Sequence, residues 1–259
     1  MQDLPRSTDA PQSPHIQPRP AVRMHWDNLL FLHWRVDPKV MRRLVPMELE
    51  LDLFDGSAWV GLVPFRMAHC SFRGVPALPG LTDFYECNVR TYVTHRGPDR
   101  HTKGVWFFSL DAQTLLPVLG GRWLWSLNYV YSRFTVSRTG DTTDYALARR
   151  TSTSIASWKH AHTHIRWRTG DLFEPDSRQR PGPPDTLQHF LTERYWLFSH
   201  RGGRIWAGQV RHEPWPLRHA ELLHLDDSLI VGAGLKVEGV PVAFASEHLE
   251  IEGYSLHAI

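Results

Sequence analysis

Phe84-Tyr85-Glu86-Cys87-Asn88-Val89-Arg90-Thr91-Tyr92-Val93 is the stretch on which the fold turns. Aromatic and β-branched residues fill it and neither Gly nor Pro interrupts it, so it reads as a strand. A strand sends alternate side chains to opposite faces. Tyr85, Cys87, Val89, Thr91 and Val93 form an ordinary core face. Phe84, Glu86, Asn88, Arg90 and Tyr92 form the other, with an acid, an amide and a guanidinium in a row. That row either meets water or lines a polar interior.

Around this strand the 259-residue chain has the composition of a globular protein, 42% hydrophobic and 22% charged. A net charge of +2 makes no strong claim on nucleic acid or membrane. The basic residues are mostly arginine; Lys39, Lys103, Lys159 and Lys236 are the only lysines. Two cysteines, Cys70 and Cys87, make neither a disulfide framework nor a zinc cluster, and a reducing cytoplasm is the expected location. No apolar run approaches a membrane span, and the N-terminus lacks a basic-then-apolar signal pattern. Residues 1–20 carry five prolines and little to bury, so a disordered tail is expected, followed by one domain over residues 21–259.

Working outward, Asn28–Val36 reads as a buried strand, and Asp37-Pro38 as the cap and first position of a short helix to Leu44. Glu48–Phe54 alternates as a half-buried strand, Asp55-Gly56 is a hairpin turn, and Ser57–Met67 returns, with Pro64 pointing to an edge or bulge. After the central stretch, Gly104–Leu110 is a strand by composition, and Asp111 could cap a helix through Val118. Trp123–Val136, Thr143–Arg150 and Ile155–Arg168 read as strands, and the proline-rich 169–184 as a linker. A helix over Asp185–Leu191 follows, then a Tyr195–Ser199/Arg204–His212 hairpin, and strands over Leu217–Leu225 and Val242–Ile251. Many short strands and few helices argue for a mostly β (α+β) protein, an antiparallel barrel or sandwich.

The chain has no Gly-rich phosphate loop, no G-x-S-x-G elbow and no H-E-x-x-H. His160, His162 and His164 would share a strand face, but successive rings stand ~6–7 Å apart along a strand, which favours a solvated face over a metal site. No metal or other cofactor is expected. His212-Glu213-Pro214-Trp215-Pro216 offers an acid/base imidazole beside a rigid corner, or simply a tryptophan plug. Arg35 ends an apolar strand and either snorkels out or reaches inward. Gly120 to Tyr129, with Arg122 and Asn128, could wall a pocket or be plain core.

Taken in order, these stretches resemble a known superfamily. Trp34-Arg35-Val36-Asp37, Met41 to Pro46 and Leu49-Glu50-Leu51 resemble the N-terminal signature of the acetoacetate decarboxylase superfamily. Phe84-Tyr85-Glu86 resembles its Tyr-x-Glu strand, and Gly121-Arg122 its Gly-Arg-Glu-Leu segment. Asn88 to Val93, Gly104 to Asp111 and His212-x-x-Trp215-Pro216-Leu217 look more closely like the YqjF-like family, a bacterial domain of unknown function. The resemblance runs from about Asn28 to Ile251. It implies a closed antiparallel β-barrel or cone of the acetoacetate decarboxylase-like type, with a polar cavity and a few short outer helices. It also implies that Arg35 and Glu86 match cavity residues, and that a lysine nucleophile should follow in a Pro-Lys-Lys sequence.

Here the chain departs from the pattern. Counting from Gly121-Arg122, the Pro-Lys-Lys positions fall on Asn128-Tyr129-Val130. An imine needs a primary amine of lowered pKa, and Tyr129 cannot supply one. The expected function is therefore a lyase, hydratase or isomerase on a small carbonyl or carboxylate compound, working without an imine. Glu86 and Tyr129 would do the chemistry, and Arg35, Asn88, Arg90, Arg122, Asn128 and His212 would bind the substrate. The alternatives are a barrel that holds a small ligand without turnover, and a ligand-free barrel closed over a Glu86–Arg90 ion pair. The expected partner is a small molecule, with homo-oligomerisation left open.

Overall fold

The structure, a computed structural model, describes residues 19–74, 82–95, 102–114, 127–151, 160–173 and 185–259. It is built from thirteen strands: β1 (Val22–Val36), β2 (Leu49–Leu51), β3 (Ala58–Phe72), β4 (Phe84–His95), β5 (Lys103–Ala112), β6 (Tyr129–Thr139), β7 (Thr142–Arg149), β8 (His162–Leu172), β9 (Trp196–Arg201), β10 (Arg204–Arg211), β11 (Arg218–Asp227), β12 (Val242–Gly253) and β13 (His257–Ala258). Three short helices, α1 (Pro38–Arg42), α2 (Leu187–Thr192) and α3 (Leu229–Gly232), complete the described residues. No helix among them is long and apolar enough to cross a membrane.

Local signals explain many of these elements. The Asp37 carboxylate accepts from the Lys39 N–H at 2.7 Å and Pro38 opens α1, as the cap reading requires. Asp55 and Gly56 both adopt positive φ, 52° and 70°, the backbone of a tight primed hairpin turn. Gly202 and Gly203 do the same between β9 and β10. Pro64 lies inside β3, which is flanked by β1 and β4, so it marks no edge. The β1–β3 register shifts between Asp27 and Leu32, opposite Pro64, and there its missing N–H costs no ladder bond.

The sheet closes. β5, β6, β7, β8, β11, β12, β1, β3 and β4 pair in that order, and β4 pairs back to β5, giving a nine-strand barrel. It is mixed rather than purely antiparallel, because β5 runs parallel to β6 and to β9. Two strands are shared along their length. The start of β5 pairs with β9 and its end with β6. Likewise β12 meets β11 at Phe244 and Ala245 but β10 at Glu252 and Gly253. A second, smaller circuit therefore runs β5, β9, β10, β12, β1, β3, β4. The wall β5-β4-β3-β1-β12 belongs to both.

The two faces of this wall carry separate apolar clusters. Leu30, Leu32, Val60, Leu62, Cys87 and Val89 pack with Phe134, Tyr145, Leu147, Ile165 and Trp167 of β6–β8. Phe31, Trp59, Phe65, Phe84 and Tyr92 pack on the opposite side with Phe190, Leu191 and Trp215. The alternation of β4 is the reason: each face of this one strand serves a different interior.

Three expectations need correction. Asp111 caps no helix; it and Ala112 are the last residues of β5, buried in the sheet. Glu48–Phe54 gives only the three residues of β2, followed by an isolated bridge from Phe54 to Ser57. Residues 169–172 of the expected linker are instead the end of β8. The 174–184 part of that linker, the 155–159 start of the strand expected over Ile155–Arg168, the 123–126 start of that expected over Trp123–Val136, residues 1–18 of the expected tail and the 115–118 end of the expected helix lie outside the described residues.

Candidate functional site

Glu86, Asn88, Arg90 and Tyr92 stand in a row on one face of β4, and all four are buried. The polar face of the opening stretch thus looks into the protein. At one end the Glu86 carboxyl accepts from the Tyr129 hydroxyl at 3.0 Å. Tyr129 reaches it because β6 begins there, pairing Tyr129 beside Leu110 on β5. Burial pushes the Glu86 pKa up to about 8; the Tyr129 hydrogen bond opposes the shift and the nearby Asp111 adds to it. At neutral pH Glu86 is therefore a carboxylic acid, able to give a proton as well as accept a hydrogen bond. Burial, then the adjacent Glu86, lifts the Tyr129 hydroxyl well above its ordinary range.

At the other end of the row lies Arg90. Its Nη2 donates to the Leu191 carbonyl at 3.2 Å, at the C-terminus of α2, and its guanidinium lies over the Phe31 and Tyr92 rings at 5.4 and 5.7 Å. Its Nε is buried with no partner, and no carboxylate pairs with it among the described residues. A helix-end carbonyl and two ring faces offset part of that charge but do not neutralise it. Asn88, between the two ends, keeps a buried Oδ1 with no partner.

A histidine that the sequence reading passed over sits beside Arg90. His33 on β1, Gly61 on β3 and Arg90 on β4 are successive partners across the sheet. Gly61 leaves the space between the two side chains: a Cβ there would come within 2.9 Å of His33 Nε2 and 3.4 Å of Arg90 Cγ. Through that gap His33 Nε2 meets the Tyr92 hydroxyl at 2.6 Å, and Tyr92 donates to the Leu191 carbonyl at 2.7 Å. A phenol has one proton and a carbonyl has none, so His33 is the donor to Tyr92. Burial and the Arg90 charge hold the His33 pKa well below its ordinary value. The ring is thus neutral, with an unprotonated, unpartnered Nδ1.

The surroundings are strongly polar for an interior. Arg194 donates to Asp52 at 2.6 Å and lies over Phe190 and Tyr92, while Lys103 meets the same aspartate at 3.3 Å. The Glu193 carboxylate accepts from the Trp215 N–H at 3.0 Å and, through its other oxygen, from Tyr195. His212 stacks on Tyr195 and lies tilted against Trp215, and its Nδ1 donates to the Glu213 carbonyl at 2.8 Å. Burial lowers the His212 pKa, as does the charge of Arg90. Trp215 is a core residue edge-on to Phe31 at 5.1 Å, which is the plug reading, and His212 packs against it at 5.4 Å.

The candidate residues therefore divide. Glu86 and Tyr129 meet, Asn88 and Arg90 share their face, and His212 lies near enough to Arg90 to feel its charge. Asn128 is only part-buried and spends its amide on the Phe107 carbonyl at 3.2 Å. Arg35 does not join them. It lies half exposed over Trp59, donating to Ser57 and Asp55 at 3.1 and 3.4 Å, because it follows His33 at the outer end of β1. Arg122 lies outside the described residues. The Glu86–Arg90 ion pair is also absent, since the partner of Glu86 is Tyr129. The acid–guanidinium pair of this interior lies through the sheet: Arg149 binds Asp111 from both Nε and Nη2 at 2.8 Å, with Ser109 and Ser132 completing the network.

Of the four lysines, Lys103 and Lys236 have side chains 60% and 84% exposed, Lys39 lies on the first turn of α1, and Lys159 is outside the described residues. His162 and His164 reach separate carboxylates, Asp226 at 3.3 Å and Asp144 at 2.9 Å, as a solvated strand face would. Among the described residues no group of three or more His, Cys, Asp or Glu side chains could hold a metal ion.

A family model, DUF2071, uncharacterized conserved protein, matches residues 23–250. The uncharacterized protein YqjF of Bacillus subtilis (strain 168) is 37% identical over 200 residues, 77% of this chain and 76% of that protein. Among solved structures, the enduracididine biosynthesis enzyme MppR complexed with pyruvate matches with a TM-score of 0.62 at 16% identity, covering 95% of this chain and 93% of that one. Acetoacetate decarboxylase from Legionella pneumophila matches with a TM-score of 0.59 at 13% identity, covering 98% of this chain and 93% of its own. At such identities the likeness to the solved structures is one of fold.

Proposed function

The chain belongs to the DUF2071 family of uncharacterized conserved proteins and has the acetoacetate decarboxylase-like fold, and on that basis we propose that it acts on a small carbonyl or carboxylate compound without forming an imine. The observation that carries this reading is Arg90, a buried guanidinium with no carboxylate partner among the described residues. A buried charge is costly until an opposite charge meets it, and a small carboxylate has that charge and the matching planar shape. Glu86, on the same face and four residues away, stands ~13 Å along the strand, and the two side chains take up part of that distance. It is held as the neutral acid, so it can protonate a carbonyl or enolate oxygen as charge develops there and later recover the proton. Tyr129 orients it, and Asn88 offers an acceptor between the two ends. Nothing in this sequence of steps needs a lysine.

A second reading, binding without turnover, is supported by the Glu86–Tyr129 bond itself, which satisfies the acid from within the protein. The two readings separate by experiment. Thermal-shift titration with pyruvate and other small oxo and hydroxy acids should raise the melting temperature of the wild type and leave Arg90→Met unmoved. Proton exchange at the carbon next to the carbonyl, followed by NMR in deuterated water, should then vanish in Glu86→Gln while affinity is retained. Binding with no exchange in the wild type would establish the second reading; no binding at all would end both.

A further inference from the structure

Glu86 and Arg90 share a face of β4 but lean apart, and small neighbours decide which way. Glu86 is flanked by Phe65 on β3 and Ala112 on β5. Phe65 fills its side. Ala112 leaves room on the other, and there the Tyr129 hydroxyl, coming from β6 beyond, donates to the carboxyl at 3.0 Å. Arg90 has the opposite arrangement, with Gly61 on β3 and Phe107 on β5. A Cβ on Gly61 would lie 3.4 Å from Arg90 Cγ, so the side chain passes over that glycine, and its guanidinium ends over Phe31 of β1 at 5.4 Å. The acid is thus held on the β5–β6 side and the guanidinium on the β3–β1 side.

Asn88 stands between them and is buried. Its cross-strand neighbours, Val63 and Leu110, are apolar and offer its amide nothing, and its Oδ1 has no partner. Arg90 Nε is equally without one. Polar groups at these depths ordinarily find partners, so the row is complete only with a guest.

The spacing limits what that guest is. Glu86 and Arg90 are four residues apart, ~13 Å along an extended strand. The side chains take up part of that length and their opposite leans restore some of it, which leaves the carboxyl and the guanidinium on the order of 12 Å apart. A guanidinium holds a carboxylate carbon ~4 Å from its own central carbon, and a hydrogen bond to the acid takes up ~2.7 Å. About 5 Å remains between the carboxylate carbon and the carbonyl oxygen of a ligand that meets both ends, and an extended chain advances ~1.2 Å per bond. A 2-oxo acid, with the two groups on adjacent carbons, meets one end only.

We propose that the ligand of this interior is an elongated oxo acid. Its carboxylate lies on Arg90, its carbonyl, about four or five carbons away, lies on Glu86, and a hydroxyl or N–H between them donates to Asn88 Oδ1. This rests on the reading that Arg90 and Glu86 serve one molecule, and adds the length that the molecule must have. Asn88 sets specificity, because a ligand with no donor leaves that acceptor buried and unpaired.

Calorimetry on the full chain tests the proposal with pyruvate, 4-oxopentanoate, 5-oxohexanoate and 6-oxoheptanoate. Each is measured beside the plain carboxylic acid of the same carbon number, which separates the carbonyl from the added methylenes. The carbonyl should tighten binding about 5-fold or more in the 5-oxo or 6-oxo acid and not in pyruvate. A 3-hydroxyl on 5-oxohexanoate should add about 5-fold again, and Asn88→Leu should erase that gain alone. A carbonyl gain greatest in pyruvate or 4-oxopentanoate, or equal at every length, would overturn the spacing while leaving Arg90 as the carboxylate site. A hydroxyl that adds nothing, or a gain that survives Asn88→Leu, would remove Asn88 from the site. No binding by any of the acids, or binding unchanged in Arg90→Met, would overturn the underlying reading as well.

Discussion

Arg149 grips Asp111 through two hydrogen bonds of 2.8 Å while both side chains are shut off from solvent, at 1% and 0% exposure. Breaking such a pair from one side leaves a buried, uncompensated charge. Arg149→Met should therefore destabilise the protein by about 3–5 kcal/mol in chemical denaturation. The double variant Arg149→Met/Asp111→Leu should recover much of that loss. Equal losses in the single and double variants would mean that the pair has no special coupling.

Glu86 ties stability to pH in the opposite sense from a salt-bridged acid. Burial raises its pKa from 4.5 to about 8. Below pH ~4.5 the group is protonated whether folded or unfolded and carries no burial cost. As pH rises toward 8 the unfolded chain ionises first, so the folded state is progressively disfavoured, by on the order of 5 kcal/mol in all. Glu86→Gln removes this dependence. The variant should gain on the wild type between those two pH values, most at the upper end, in denaturation curves recorded across the range.

Arg90 should behave differently from Arg149. With no carboxylate to strand, Arg90→Met should leave stability within about 1 kcal/mol of the wild type or raise it. Affinity for small carboxylates should fall at least about 10-fold, a loss of 1.4 kcal/mol or more. A large loss of stability with unchanged ligand binding would make Arg90 a structural residue.

Gly61 is needed for the space it leaves. Gly61→Ala brings a Cβ to within 2.9 Å of His33 Nε2 and must push the imidazole off Tyr92. A cost of about 1–3 kcal/mol is expected. The His33 ring-proton signal, sharp in NMR while Nε2–H is held by Tyr92, should broaden through exchange with water.

Most strands could be read from the sequence because their cues are local. Asp55-Gly56 and Gly202-Gly203 announce turns, and the alternation along β4 separates two faces. Glu86 and Tyr129, which the structure joins by a hydrogen bond, can be picked out because an acid on a strand face and a missing lysine both stand out in the letters. Asp111 was misread because aspartate before a small residue looks like a cap, and its partner Arg149 lies 38 positions away. Arg35 stands out in the sequence and His33 does not for a similar reason. Its charge draws attention, yet the end of β1 carries it outside, while the imidazole two residues earlier, hidden in an apolar run, stays within. The forking of the sheet at β5 and β12 has no signal in the sequence, since each strand looks ordinary until its two half-length neighbours are known.

Five strands act as a bulkhead between two compartments, each closed by its own set of remaining strands. Any shift of the β4 backbone at Arg90 is passed to Cys87 and Val89 on the other side, because all three belong to one strand. Neither circuit can be melted at the shared strands without opening the other. Amide protons along β4 and β3 should consequently be among the last in the molecule to exchange.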